Sequence, residues 1–158
     1  METLSGVKKI EPNTIIKSDD TTNHTLEVVI IEDNQLVNTL LTRALDSTIK
    51  SIYNLKNIEI KFSSYKNGGD FLAYLEKREQ NSSKLIVFSD YHLEEDMNGS
   101  KILSSIKQKF ADATVIIMSD SPNQQIPIDA KNLGAHCFLS KDHRTPVICS
   151  EMLFQMVN

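Results

Sequence analysis

The sequence predicts an α/β fold, with five strands, each followed by a helix, in one doubly wound parallel sheet. Three observations carry this reading. Short apolar runs alternate along the chain with segments of helical periodicity. Several of the runs are apolar almost throughout, as in strands covered on both faces. The runs end in acids, a hydroxyl and an amine, side chains that a parallel sheet would present at its carboxyl edge.

The first run, Leu26 to Ile31, reads as a strand and ends in Glu32-Asp33. Asn34 is suited to cap the helix that follows. Its apolar positions Leu36, Val37, Leu40, Leu41, Ala44 and Leu45 recur at helical spacing. Asn57 to Phe62 alternates with period two, which places a half-buried second strand there. Asn67-Gly68-Gly69-Asp70 opens a second helix through Phe71, Leu72 and Leu75. The third strand, Lys84 to Ser89, ends in Asp90, and a polar loop follows from Tyr91 to Asp96. After Asn98-Gly99 the third helix carries Ile102, Leu103 and Ile106. The fourth strand, Thr114 to Met118, ends in Ser119. The stretch from Ser121 to Gly134 carries the weakest helical pattern; Pro127 should break or shorten it and Gly134 should end it. Ala135 to Ser140 forms the fifth strand and ends in Lys141. Pro146 suits the first turn of a last helix through Ile148, Met152, Leu153 and Met156. Five such units fit the flavodoxin-like strand order, with helices on both faces of the sheet. Residues 1–25 are polar and mixed, and are expected to be an N-terminal extension to one domain spanning 26–158.

Composition narrows the function. The chain has 158 residues, 40% apolar and 24% charged, enough for one ordinary core and unlike a disordered chain. A net charge of −4 supplies no basic face, so direct nucleic-acid binding is not expected. The N-terminus lacks the apolar stretch of a secretory signal, and no run reaches membrane-spanning length. A cytoplasmic protein with no membrane contact is therefore expected. Cys137 and Cys149 do not have metal-ligand spacing.

The strand ends carry the chemistry. Glu32, Asp33 and Asp90 offer carboxylates, Ser119 a hydroxyl and Lys141 an ammonium. Converging at one edge, that set suits a hard divalent cation such as Mg²⁺ and a phosphoryl group. Three acids without a cation repel one another, which favours cation uptake. Asp90 can act as a nucleophile on a phosphoryl donor to give an acyl phosphate, Lys141 neutralises as a point charge, and Ser119 donates to phosphoryl oxygens. Taken singly, each residue has an ordinary reading: a solvated strand-end acid, a helix N-cap at Glu32-Asp33, a turn serine, a surface lysine. The ordered set weighs against them.

These residues, with Val28-Val29-Ile30-Ile31-Glu32-Asp33-Asn34, Met97-Asn98-Gly99, Ile116-Ile117-Met118-Ser119 and Phe138-Leu139-Ser140-Lys141, resemble the receiver domain of two-component response regulators. The resemblance covers Leu26 to Val157 and includes no output domain. It implies that Asp90 is the phosphoacceptor and that a histidine kinase or phosphotransfer protein is the phosphohistidine donor. It implies that the backbone carbonyl of His92 joins Glu32, Asp33 and Asp90 around Mg²⁺. Ser119 would be the switch hydroxyl and Phe138 the switch aromatic, although an aromatic in an apolar strand equally reads as core. Phosphorylation would remodel the face formed by the fourth helix, fifth strand and fifth helix, for a downstream protein partner or a homodimer. The activity implied is self-phosphotransfer and autodephosphorylation, not that of an enzyme with turnover on a separate substrate.

The chain departs from the family pattern at three places. Asp120 follows the switch hydroxyl where a small residue is usual. Asp142 follows the lysine where proline is frequent. The loop from Asp90 to Gly99 is one residue longer and lacks a common proline. These departures motivate an alternative, a receiver-like binding module independent of phosphate. A Mg²⁺-dependent aspartate-nucleophile phosphatase of the haloacid-dehalogenase type fits less well, because it needs an acid two residues after the nucleophile and His92 stands there. A dinucleotide-binding fold lacks support, since Glu32-Asp33-Asn34 has none of the glycines that admit pyrophosphate.

Overall fold

The computed structural model describes residues 26–80, 83–94 and 97–157. The extension expected over residues 1–25 lies outside them. The elements alternate as β1 (Leu26–Ile31), α1 (Gln35–Lys56), β2 (Ile60–Tyr65), α2 (Gly68–Lys77), β3 (Lys84–Asp90), α3 (Gly99–Lys109), β4 (Thr114–Ser119), α4 (Gln125–Asn132), β5 (Cys137–Ser140) and α5 (Thr145–Met156). All strand pairs are parallel, in the order β2-β1-β3-β4-β5. This is the flavodoxin-like order that the sequence predicts.

The three central strands are buried nearly end to end, which is why β1, β3 and β4 read as continuous apolar runs. Their alternate residues feed two cores. Val29, Ile31, Leu85, Val87, Val115 and Ile117 face Phe71 and Leu75 of α2, and Ile102, Leu103 and Ile106 of α3. Val28, Ile30, Ile86, Phe88, Ile116 and Met118 face Leu41, Leu45 and Ile52 of α1, and Cys149 and Leu153 of α5. Both layers are needed to close the sheet, and the edge strand β2 is only half covered.

Three local differences from the sequence reading have physical causes, and the short α4 matches it. The second strand is not Asn57–Phe62 but Ile60–Tyr65. Helix α1 continues to Lys56, and Asn57 ends it in the left-handed region (φ 55°), its N–H donating to the Tyr53 carbonyl at 2.8 Å. Asparagine tolerates that conformation where most side chains do not. Leu36 and Leu40, read as part of the apolar stripe, are 68% and 46% exposed, so the buried stripe of α1 is narrower than the apolar one. Helix α4 is short, with Pro127 in its first turn, where a missing N–H removes no helical bond. Its end is a Schellman motif: Gly134 (φ 94°) donates to Lys131 at 3.1 Å and Ala135 donates to Ala130 at 2.9 Å. That motif occupies Ala135, so β5 begins at Cys137 rather than at residue 135.

Candidate functional site at the carboxyl edge of the sheet

Parallel strands all point their carboxyl ends the same way, so the residues that end β1, β3, β4 and β5 meet. Ile31 is in register with Ser89, which sets Glu32 beside Asp90. Beyond the strands the ladder continues through single bonds. Tyr91 N–H donates to the Met118 carbonyl and Lys141 N–H to the Ser119 carbonyl, each at 2.8 Å. Gly99 N–H returns to the Tyr91 carbonyl at 2.7 Å. A Cβ at Gly99 would stand 2.9 Å from the Tyr91 Cα and 3.2 Å from the Asp90 carbonyl oxygen, so only glycine fits without moving backbone.

Lys141 Nζ reaches both buried acids, lying 2.8 Å from Glu32 Oε2 and 3.4 Å from Asp90 Oδ2. Glu32 is 0% exposed and Asp90 5%. The other Glu32 oxygen, Oε1, accepts the Asn34 N–H at 3.0 Å. Asp90 Oδ1 accepts the His92 N–H at 3.4 Å. Asn34 Oδ1 in turn caps α1 through the Val37 N–H at 3.1 Å, as its side chain suggests. Carboxylate oxygens of Glu32, Asp33 and Asp90 lie within 4.8 Å of one another.

Burial dominates the electrostatics. It raises the Glu32 carboxyl to about 6, against the lowering effect of its Lys141 hydrogen bond and with added repulsion from Asp90. Burial likewise raises Asp90, although Lys141 opposes it. For Lys141 burial works against the charge, but the Glu32 hydrogen bond and the two carboxylates outweigh it and the pKa rises. Two buried acids thus share one ammonium, with Asp33 as a third carboxylate beside them. Their hard oxygen donors suit a hard divalent cation rather than a soft transition metal.

A cavity of about 440 Å³ opens over this group. Glu32, Asp33, Asp90, His92 and Lys141 line it, and so do Asp120 and Asp142. The three strand-end acids, the amine and His92 are therefore together. Ser119 and Phe138 are not among the cavity walls. Ser119 is buried behind them, its hydroxyl accepting the Ser121 N–H at 3.1 Å. Phe138 is half-buried and packs on the α2–α3 side of the core. The two departures next to the site differ. Asp142 is turned onto its own loop, accepting the Arg144 N–H at 2.8 Å and pairing with the Arg144 guanidinium at 2.9 Å. Its pKa is lowered by that hydrogen-bonded arginine. The Lys141–Asp142 peptide bond is trans. Asp120 is exposed at the cavity wall.

Sequence reading passed over Asn38, which is buried and donates from Nδ2 to the Glu32 carbonyl at 2.9 Å. A signal existed: an amide directly after Val37, at positions i−3 and i−7 from Leu41 and Leu45 on the helix.

The sequence model for the response regulator receiver domain matches residues 28–152. No protein among the curated sequences matches the chain. Among solved structures, the chain is similar in fold to the chemotaxis response regulator CheY4 of Vibrio cholerae (TM-score 0.64, 15% identity, 85% of this chain and 99% of that one). It is similar also to the BeF3-activated DrrB receiver domain (0.65, 16%, 83% and 96%). A third is the signal receiver domain of a DNA-binding response regulator from Colwellia psychrerythraea (0.61, 22%, 84% and 98%). A family match over most of the chain, the strand order, and a carboxyl edge built of acids and one lysine agree: this chain belongs to the response regulator receiver domains of two-component signalling.

Proposed function

We propose that residues 26–158 form a receiver unit that accepts a phosphoryl group on Asp90 from the phosphohistidine of a histidine kinase or phosphotransfer protein. One observation carries the reading: a single ammonium, Lys141, bridges two buried carboxylates, Glu32 and Asp90, within one cavity. In the transfer an Asp90 carboxylate oxygen bonds to phosphorus, the P–N bond breaks, and the imidazole leaves with the bonding pair and takes up a proton. Lys141 then faces the new phosphoryl oxygens and offsets the negative charge they bring from the donor. Glu32, Asp33, Asp90 and the His92 carbonyl would hold Mg²⁺. Bound there, the cation supplies charge neutralisation and a template for the phosphoryl oxygens. The Ser119 hydroxyl, engaged by its own loop through Ser121, exchanges that contact for a phosphoryl oxygen, and Phe138 follows inward. The face of α4, β5 and α5 is thereby biased toward a downstream partner or a second copy; the structurally similar NtrC4 receiver domain is a dimer in its beryllofluoride-activated form. A cytoplasmic location fits this role; no described helix is long and apolar enough to cross a membrane.

Mass spectrometry after incubation with a phosphorylated histidine donor and Mg²⁺ tests the assignment. One phosphoryl mass gain is expected, absent in Asp90→Asn; equal gain in parent and variant would refute it. Asp120 at the cavity wall supports a second reading, a partner-binding module that works without phosphate. That reading is favoured if no donor labels the parent and Asp90→Asn binds every partner equally well.

A further inference from the structure

We infer that Asn38 is a positioning residue for the metal-binding carboxylate Glu32, through a hydrogen-bonded brace that links α1 to the ends of β1 and β2. The inference rests on the proposed Mg²⁺ role of Glu32. Asn38 is only 7% exposed, and its whole carboxamide is used. Nδ2 donates to the Glu32 carbonyl at 2.9 Å and to the Tyr65 carbonyl at 3.4 Å. Oδ1 accepts the hydroxyls of Ser64 at 2.8 Å and of Thr42 at 3.2 Å. Glu32 N–H itself donates to the Tyr65 carbonyl at 3.0 Å, which is the last rung of the β1–β2 ladder. Asn38 adds one rung beyond it, taken from a helix side chain. The Glu32 backbone is thus fixed at both its N–H and its carbonyl.

The chemistry of the four contacts selects asparagine. Two carbonyls demand a donor and two hydroxyls are met by an acceptor, and one planar amide supplies both. An aspartate has the same shape but would set a carboxylate against two carbonyl oxygens. A leucine would take the amide donor from the Glu32 carbonyl and the acceptor from the Ser64 and Thr42 hydroxyls. The brace matters because Glu32 is where the sheet stops and α1 has not yet begun. Its two carboxylate oxygens are already committed to Asn34 N–H and Lys141, so a small backbone rotation would move both contacts and the distance to Asp33 and Asp90. Outer contacts of this kind typically change metal affinity by 10–100-fold.

The test is a double-mutant cycle on the full chain, read by Mg²⁺ titration calorimetry and by Mn²⁺ water-proton relaxation. Asn38→Leu should weaken Mg²⁺ binding roughly tenfold or more. Ser64→Ala, which only loosens the carboxamide, should weaken it less and guards against a misfolded Asn38→Leu. In a Glu32→Gln background Asn38→Leu should cause no further loss, because its effect passes through the lost carboxylate. Additive losses, or unchanged affinity in both Asn38→Leu and Ser64→Ala, would overturn the brace while leaving the receiver reading intact. A parent that takes up no divalent cation would overturn both.

Discussion

Two buried glutamates bracket strand β1, Glu27 within it and Glu32 directly after its last residue, and they live in opposite electrostatic settings. Glu27 is 2% exposed. It accepts the Arg78 Nε–H at 3.0 Å and the Tyr74 hydroxyl, with Lys61 Nζ at 3.9 Å. The guanidinium in turn donates to the Ser83 carbonyl and lies 4.6 Å from the Phe110 ring centroid. Tyr74 is pushed up to about 12 by burial and by the Glu27 carboxylate it serves. Here cations outnumber the acid and every arm is used. At Glu32 the ratio inverts: three acids cluster beside an open cavity, and Lys141 pairs with two of them. The same residue type is a closed structural corner at the start of β1 and part of a charge deficit just past its end. Burial alone does not mark a reactive site; burial with unbalanced charge does.

Perturbing each end should produce different failures. Asp90→Asn should abolish acyl-phosphate formation entirely, read by intact-mass analysis, with little change in folding. Arg78→Ala strands the Glu27 charge in the core and should cost about 3–5 kcal/mol in urea unfolding, while metal affinity of the folded protein stays near parent. Glu32→Gln should do the reverse, losing Mg²⁺ affinity in calorimetry with a smaller loss of stability. Lys141→Ala should still bind Mg²⁺, since it removes a competing cation, but slow phosphoryl uptake by about 10²-fold, measured by quenched-flow labelling.

The smallest effect is one of pH. Glu32 sits near 6 in the folded protein against 4.5 unexposed to the fold. The folded state therefore binds more protons than the unfolded between those values, and the metal-free protein should gain stability as pH falls from 7 toward 4.5. Asp90, also raised, adds in the same direction. Lys141, raised above its usual value, contributes stability below that value and loses it only at high pH. Mg²⁺ needs the carboxylates ionised, so the thermal shift it produces should shrink as pH drops through about 6. A Mg²⁺ shift that grows on acidification would contradict the charge-deficit account.

Much of this was legible in the sequence because fully buried strands have a plain signature. β1, β3 and β4 are where the apolar runs are, and the polar residues that end them, acids after β1 and at the end of β3 and a serine at the end of β4, fall at the sheet edge by topology alone. The half-covered β2 was misplaced because Asn57, Ile58 and Glu59 extend its alternation backward by chance, while the left-handed cap at Asn57 depends on how far α1 continues. Glu27 was read past as part of an apolar run. A charge in such a strand demands a partner, but Arg78 is 51 positions away in sequence and nothing local names it. Ser119 is buried and Phe138 packs toward α2 and α3, so neither lines the cavity, and strand-end position does not encode that. Asn38 was hidden for the same reason, since its partners come from three separate segments.

The clasp at Gly99 has its own consequence. Asp90 and Tyr91 are gripped from both sides, by the β4 backbone at Met118 and by the returning amide of Gly99, and the rungs His92–Asn98 and Leu93–Met97 shut the loop behind them. Whatever the chain does past those rungs is mechanically insulated from the aspartate. The position of the Asp90 carboxylate is therefore set by backbone rungs on both flanks rather than by the length of the loop that follows.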